Sequence, residues 1–504
     1  MSLMVQAVKN VSATWLSLLI HAIVGLFLSP FILHRLGDNA FSVWVLVFSL
    51  TGYYGLLDLG IRSSIIRYVA KFAATKDEEQ LKRFLSTSLG FYVIVAFVVL
   101  AVTGFGFFHL QSLFKISPEL TGAAQALFLI AGVSVALSFP LSVFAGVLEG
   151  LQKFSWVQLT QIGVTLLRGL LIVIALTHGG RLLATGAITV GMNVVSYLVF
   201  MYMALRVLPL RLSIRAVEGH AFRKMLKYGA FAFVILLAEK LRFHSDTTLI
   251  GAFVSAAAIT SYSIAARLVE YSTYAVRSMA QIFTPMSSQL HAAGDFVGLQ
   301  RTFVAGNRAC ALIIFPLCVT LIVLGKTIIA VWVGRQYESS YLVLVLLIVP
   351  KSIYLAQSTS TRILLGMGRH RVLASVLLLE GGVNIVLSIF LLRRFGVVGV
   401  ALGTAIPLAC TSLFFLPRHL CRHLDMPLGR FLSRAYLFPL ALCVPLAGAL
   451  LFVRHALPAH NYGGLMLQMA CGGFVYCGGL AWAFFIRVPQ CRSWEALGQV
   501  LAPK

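Results

Sequence analysis

Runs of about twenty apolar residues, long enough to cross a bilayer as a helix, recur along this chain with short polar breaks between them. Fourteen such spans are predicted, near 11–35, 41–66, 84–110, 120–147, 154–177, 182–205, 228–253, 257–286, 303–325, 340–365, 372–392, 396–417, 433–453 and 463–486. The stretch "WLSLLIHAIVGLFLSPFIL" near the start is too long for the apolar core of a signal peptide. No small-residue cleavage site follows it, so it is read as the first span.

Lysine and arginine in the breaks set the orientation, because cytoplasmic loops carry the excess. With the N-terminus inside, the inside segments hold 25 basic residues and the outside loops hold 8. Both termini are therefore expected in the cytoplasm. Among the first twelve spans the longest polar break is "RVLPLRLSIRAVEGHAFRKMLKYG" (206–229), with six spans on either side. Sliding the chain on itself by 218 residues brings Asp77 onto Asp295, "LKRF" (81–84) onto "LQRT" (299–302) and "EGLQK" (149–153) onto "MGRHR" (367–371). Helix ends and loop chemistry then match without a gap over some 150 residues. An even number of helices per repeat makes the halves parallel, related by an axis along the membrane normal. The expected class is an all-α polytopic membrane protein of about 14 helices, in two pseudo-symmetric six-helix lobes plus two C-terminal helices. Its parts are an N-lobe (1–206), a cytoplasmic linker (207–227), a C-lobe (228–420), and helices 13–14 with a cytoplasmic tail (421–504).

Composition agrees. The chain is 59% hydrophobic and 11% charged, against about 25% charged in soluble domains. Its net charge of +24 would suggest nucleic acid in a soluble protein. Here the basic residues lie in short loops between apolar spans, so no nucleic-acid partner is expected. The eight cysteines all fall at or after Cys310, without CxxC spacing, and read as small apolar packing residues.

What does not fit a plain apolar bundle is charge inside the spans. "LAEKLRFHSD" (237–246) places Glu239, Lys240, Arg242, His244 and Asp246 at the centre of span 7, where each charge costs about 2.5–3.5 kcal/mol on insertion scales. Glu239 and Arg242 are three apart; Lys240 and His244, and Arg242 and Asp246, are four apart, so each pair neighbours on a helix surface. Span 8 adds Arg267, Glu270 and Arg277; span 5 has Arg168, span 10 Lys351 and Arg362, and span 11 Glu380. His21 is the repeat counterpart of Glu239. For Glu239, Asp246, Glu270 and Glu380, ion pairs that lock helices together and a cavity lining both stay open. The whole set carries seven cations against four acids, and cations beyond the pairs should line a wet cavity. Such a cavity suits an anionic passenger, with Lys240, Arg242 and Arg267 as first candidates. Arg168 and Lys351 follow, since either could snorkel or pair with Glu380.

Prolines 140, 285, 316, 350 and 407 fall in or beside spans as candidate hinges. There is no Walker loop, GxSxG, HExxH or metal-ligand cluster, so no enzyme, cofactor or metal is expected.

Two stretches resemble a known family. "SPFILHRLGDNAFSVWVLVFSLTGYYGLLDLGIRSSIIRYVAK" (29–71) is similar to the helix 1–2 pattern of bacterial polysaccharide- and O-antigen-unit flippases. It has a proline near the end of helix 1, Leu36-Gly37, aromatic Phe41 and Trp44, a "GLLDLG" turn and a basic run into the first loop. "LLGMGRHRVLA" (364–374) resembles the family's helix 10–11 loop. The family is the oligosaccharide branch of the multidrug/oligosaccharidyl-lipid/polysaccharide (MOP) exporter superfamily. The resemblance implies a flippase in the bacterial inner membrane. It would turn a polyprenyl-diphosphate-linked oligosaccharide to the outer leaflet by alternating access, among membrane lipids, polysaccharide polymerase and assembly proteins. It places Asp58 in the family pattern, as a structural turn, an ion pair with Arg62 or a coupling site. The alternatives are a cation-coupled multidrug antiporter, which would need net acid in the cavity, and a peptidoglycan lipid-precursor flippase.

Overall fold

In an apolar solvent every backbone N–H and C=O must be satisfied within the chain, which leaves the helix as the open-ended solution. The computed structural model describes residues 3–208, 218–243, 245–280, 282–368 and 370–487, and these form α-helices joined by short turns. They group into two compact units, Met1–Thr260 and Ser261–Lys504.

The first unit contains α1 (Leu3–Leu36), α2 (Asp38–Gly52), a 3-10 turn (Tyr53–Asp58), α3 (Ile61–Thr75) and α4 (Glu78–Leu113). It continues with α5 (Pro118–Gly150), α6 (Phe154–Thr177), α7 (Leu182–Val207), α8 (Gly219–Phe243) and α9 (Ser245–Phe253). Helix α5 is the hub: it packs on α2, α3, α4 and α7, and 56% of its apolar window is buried, against 22% for α4 and for α6. Small residues permit this. A Cβ on Gly132 would lie 2.2 Å from Thr103 Oγ1 of α4, a distance no side chain tolerates, so α4 and α5 meet where glycine lets them. The opposite face of α4 presents Phe97, Phe105 and Phe108, each more than 60% exposed. That is a face for lipid.

The second unit contains α10 (Ala258–Ala280), α11 (Phe283–Ala292), α12 (Phe296–Trp332), α13 (Ser340–Ala356) and α14 (Ser358–Gly366). It continues with α15 (His370–Cys410), α16 (Leu416–His423), α17 (Leu428–Leu432), α18 (Phe438–Ala456) and α19 (Tyr462–Arg487). α15 is a hairpin: Gly396 (φ 55, ψ −133) reverses it. The two arms then bond to each other, Asn384 Nδ2 donating to Thr404 Oγ1 at 3.0 Å and Ser388 Oγ to the Val400 carbonyl at 3.5 Å.

Among the described residues ten segments are long and apolar enough to cross a membrane, or eleven when α13 and α14, bent by 42°, count as one. One of the ten, Arg371–His423, contains the hairpin. The segments α8–α9 and α10–α11 fall below that threshold, as expected of helices that carry Glu239, Lys240, Arg242, Arg267 and Glu270. The all-α, polytopic class is thus observed. Of the predicted linker, residues 209–217 lie outside the described residues, as do His244, Arg369 and the tail from 488 onward.

Local chemistry repeats along the chain. Asp77 caps α4 by accepting the Gln80 N–H at 3.0 Å, and Asp295, 218 residues later, caps α12 by accepting the Gly298 N–H at 2.7 Å. A left-handed residue precedes each cap, Lys76 (φ 55) and Gly294 (φ 69). Short, sharply turned helix pairs, α3–α4 and α11–α12, result at corresponding places.

Candidate functional site

The charged run 237–246 covers the end of α8 and the start of α9, either side of residue 244, which lies outside the described residues. Arg242 is 1% exposed and Asp246 2% exposed. One turn apart in sequence and of opposite charge, they are both taken out of water, and both engage neighbouring groups. Both helices pack inside the first unit: α8 lies on α3, α4 and the 3-10 turn, and α9 lies on α2. Lys240 is half-buried, with its ammonium 3.6 Å from where a side chain on Gly52 would begin. The Tyr53 hydroxyl lies beside Thr248 and within electrostatic reach of Asp246. Glu239 adjoins Lys240 and is also half-buried. So Lys240, and Asp246 by way of Tyr53, neighbour the "GYYGLLD" segment, Gly52–Asp58.

The first half of α8 is clamped to its neighbours. Ser64 Oγ donates to the Met225 carbonyl at 3.0 Å, and Ser88 Oγ sits 3.7 Å from the Met225 sulfur. Arg83 Nη1 pairs with Glu218 Oε1 at 2.5 Å, and the Glu218 N–H donates to Thr87 Oγ1 at 3.0 Å. Phe222 packs on Phe91, ring centroids 5.4 Å apart.

Asp58 is held structurally. Its carboxylate accepts the Tyr92 hydroxyl and the backbone N–H groups of Gly60 and Arg62, closing the start of α3. The ion pair between Asp58 and Arg62 considered from their spacing is replaced: the Arg62 guanidinium bonds Glu149 of α5 at 2.7 Å. The reason is local. Leu59 (φ 50) and Gly60 (φ 75) are left-handed, so no continuous helix runs from 58 to 62 and the one-turn rule does not apply.

The remaining candidates sit elsewhere. Arg168 on α6 is near His21 of α1, whose ring bonds the Ser17 carbonyl at 3.0 Å and Thr165 Oγ1 at 2.9 Å. In the second unit Arg267 and Glu270 pair at 3.9 Å, and Glu270 also accepts the Tyr274 hydroxyl at 2.7 Å. Lys351 (8% exposed) and Glu380 (4%) are buried on α13 and α15, which pack together. The Lys351 ammonium stands 5.5 Å from the Tyr354 ring centroid, and Glu380 accepts the Thr411 hydroxyl. Lys240, Arg242, Glu239 and Asp246 therefore lie together on α8–α9 in the first unit, whereas Arg267, Glu270, Lys351 and Glu380 belong to the second. Gly52, Tyr53, Tyr92, Glu149 and Glu218 were not singled out as site residues. The available signal for the first two was a Gly-Tyr-Tyr-Gly run interrupting helical periodicity.

Comparison with known proteins agrees with this architecture. The family described as polysaccharide biosynthesis proteins matches residues 7–291, from within α1 into α11 and including the charged α8–α9. A Bacillus subtilis protein named "Uncharacterized membrane protein EpsK" is 20% identical over 418 residues, 82% of this chain and 83% of its own. A "Putative O-antigen transporter" of Shigella flexneri is 22% identical over 397 residues, 76% of this chain and 90% of its own. Among solved structures, the lipid II flippase MurJ in an inward-closed conformation aligns with TM-score 0.72 at 17% identity, over 96% of this chain and 100% of that one. An inward-facing multidrug resistance MATE family transporter of the MOP superfamily aligns with TM-score 0.67 at 13% identity, over 83% and 99%. At these identities the likeness is one of fold. The chain belongs to the family of polysaccharide biosynthesis proteins and has the fold of these multi-pass membrane proteins.

Proposed function

We propose that the protein is a flippase for a glycan carried on a polyprenyl diphosphate, moving it from the cytoplasmic to the outer leaflet by alternating access. One observation carries this: Lys240 stands half-buried among the charges of α8–α9, its ammonium beside Gly52. Cations at membrane depth are tolerated where they line a wet cavity, and a diphosphate is the anion such a cavity serves. Arg242 and Arg168 are further candidates for the passenger's charge within the first unit. Counting α8–α9, α10–α11 and both arms of α15, the chain crosses the membrane fourteen times, in two six-helix repeats plus α17–α19. The matched caps at Asp77 and Asp295 support that repeat.

Two glycan classes compete. The named O-antigen transporters among the relatives favour a polysaccharide repeat unit. The fold likeness to the lipid II flippase, which spans nearly all of both chains, gives a peptidoglycan precursor the stronger support. A drug-cation antiporter, although its fold is similar, needs a cavity of the opposite sign.

The experiment is transbilayer movement in proteoliposomes of two labelled substrates, a polyprenyl-diphosphate oligosaccharide and lipid II, with wild type beside Lys240→Ala. Movement of either that falls at least tenfold in the variant supports the flippase and names its class. Movement that survives Lys240→Ala removes the lysine from the site. Movement of neither in the wild type, with energised efflux of a cationic dye, transfers the chain to the antiporters.

A further inference from the structure

The second unit contains a cavity of about 300 Å³ at the ends of α12 and α18 and the start of α19. Its lining includes Lys326, Arg335, Glu338, Arg454, His460 and Gln468. Three cations thus face one acid. Lys326, Arg335 and Arg454 are also three of the eight basic residues in the loops assigned to the outside. On the side of the membrane where lysine and arginine are sparse, that convergence from two separate loops is a concentrated positive field.

Each cation is positioned. Arg454 Nη1 donates to the Val323 carbonyl at 2.8 Å, which fixes its guanidinium at the wall. Arg335 Nη2 stands 3.3 Å from His460 Nδ1, and the Lys326 ammonium lies 5.4 Å from the Tyr341 ring centroid. A second observation is independent of charge. Gln468 is fully buried, and its Nε2 donates to the Leu457 carbonyl at 2.7 Å. That bond fixes the amide, and its Oε1 is left buried with no donor in reach while the residue lines the cavity. An acceptor stranded in this way costs about 1–3 kcal/mol. The missing donor is a group that enters the cavity.

We propose that this cavity binds a phosphoryl anion that carries a neighbouring hydroxyl: the phosphate is held by Lys326, Arg335 and Arg454, and the hydroxyl donates to Gln468 Oε1. The volume fits a phosphoglycerol headgroup, at the small end of ligand pockets. It lies where α12 meets α18 and α19, so the two terminal helices, which stand outside the repeat, build half of a binding site. The same chemistry reaches it from an anionic phospholipid of the outer leaflet or from a soluble phosphate ester. The site is separate from Lys240 and Arg242 and does not depend on what the protein transports.

The test is lipid retention by the purified full-length protein, read by native mass spectrometry after exchange with phosphatidylglycerol, phosphatidic acid or phosphatidylcholine. Wild type is expected to retain phosphatidylglycerol over phosphatidylcholine. Lys326→Gln/Arg335→Gln, whose side chains are exposed enough to leave folding intact, is expected to lower that retention about tenfold, the loss of one or two charge-assisted contacts. Gln468→Leu is expected to erase the wild-type preference for phosphatidylglycerol over phosphatidic acid, which lacks the hydroxyls. Thermal stabilisation of wild type by glycerol phosphate, absent in the double variant and unmatched by phosphatidylglycerol, supports the site and assigns a soluble source. Equal retention of all three lipids, with no stabilisation by glycerol phosphate, overturns the proposal. Equal retention of phosphatidylglycerol and phosphatidic acid by wild type overturns the role of Gln468.

Discussion

The backbones of Gly60 and Gly229 touch. A Cβ on Gly60 would lie 2.2 Å from the Gly229 carbonyl oxygen, and one on Gly229 would lie 2.6 Å from the Leu59 carbonyl oxygen. Here α8 crosses the start of α3 with no side chain between them, next to the turn that Asp58 closes. The seating of the charged end of α8 beside Gly52–Asp58 depends on this approach.

Alanine at either glycine is therefore expected to lift α8 from α3. Gly60 also has φ 75, which alanine resists. Overpacking of this kind costs roughly 1–3 kcal/mol, so Gly60→Ala and Gly229→Ala should both lower the melting temperature in detergent. Gly55→Ala, with nothing within 4 Å, is the control. Unchanged melting for all three would show that the helices do not meet here.

On the proposed alternating-access cycle, the clamp on α8 is expected to open. Cysteines placed at Ser64 and Met225, whose Oγ and carbonyl are 3.0 Å apart, and joined by a short bifunctional thiol reagent in a cysteine-free background, should stop transport. Cleaving the linker should restore it. Full transport with the link intact would mean that α8 stays on α3 throughout the cycle.

The hydrogen bonds of Asp58 to Tyr92 and the start of α3 favour a structural role for it over ion coupling. Asp58→Asn keeps one acceptor for Tyr92 and the α3 backbone, so transport is expected to persist while stability falls by about 1–3 kcal/mol. Tyr92→Phe should lose a similar amount. A stable Asp58→Asn protein without transport would reopen the coupling role.

Arg242 and Asp246 are both buried, one helical turn apart in sequence and opposite in charge. Removing one partner of a buried charged pair typically costs about 3–5 kcal/mol, whereas replacing both with apolar groups is often neutral. Asp246→Leu alone should be strongly destabilised, and Arg242→Met/Asp246→Leu should regain most of that loss. The double variant separates the roles: stable and inactive places Arg242 at the substrate, stable and active makes it a structural lock.

The order of helices was legible because an apolar run of bilayer length has one stable conformation in lipid. The match of Asp77 with Asp295 was legible too, but that each caps its helix shows only in the structure. α8 and α10 were read as spans from their apolar length, although their charges depress the hydropathy that marks the other helices. The hairpin at Gly396 was anticipated as two spans, 372–392 and 396–417.

The partners of the charges were not legible. Spacing along the chain reports neighbours on one helix, and Arg267–Glu270, three residues apart, did pair. Arg62, by contrast, took Glu149, 87 residues away, Arg83 took Glu218, 135 away, and Ser64 took the Met225 carbonyl, 161 away. The sequence by itself determined which segments are helices, where they start and which of them carry charge, because those are local and solvent-imposed properties. Only the tertiary structure decided that Lys240 faces Gly52 and that Asp58 serves the α3 turn. Those contacts are set by how closely two helices approach, and that depends on glycines such as Gly60 and Gly229 whose meaning appears only once the helices are packed.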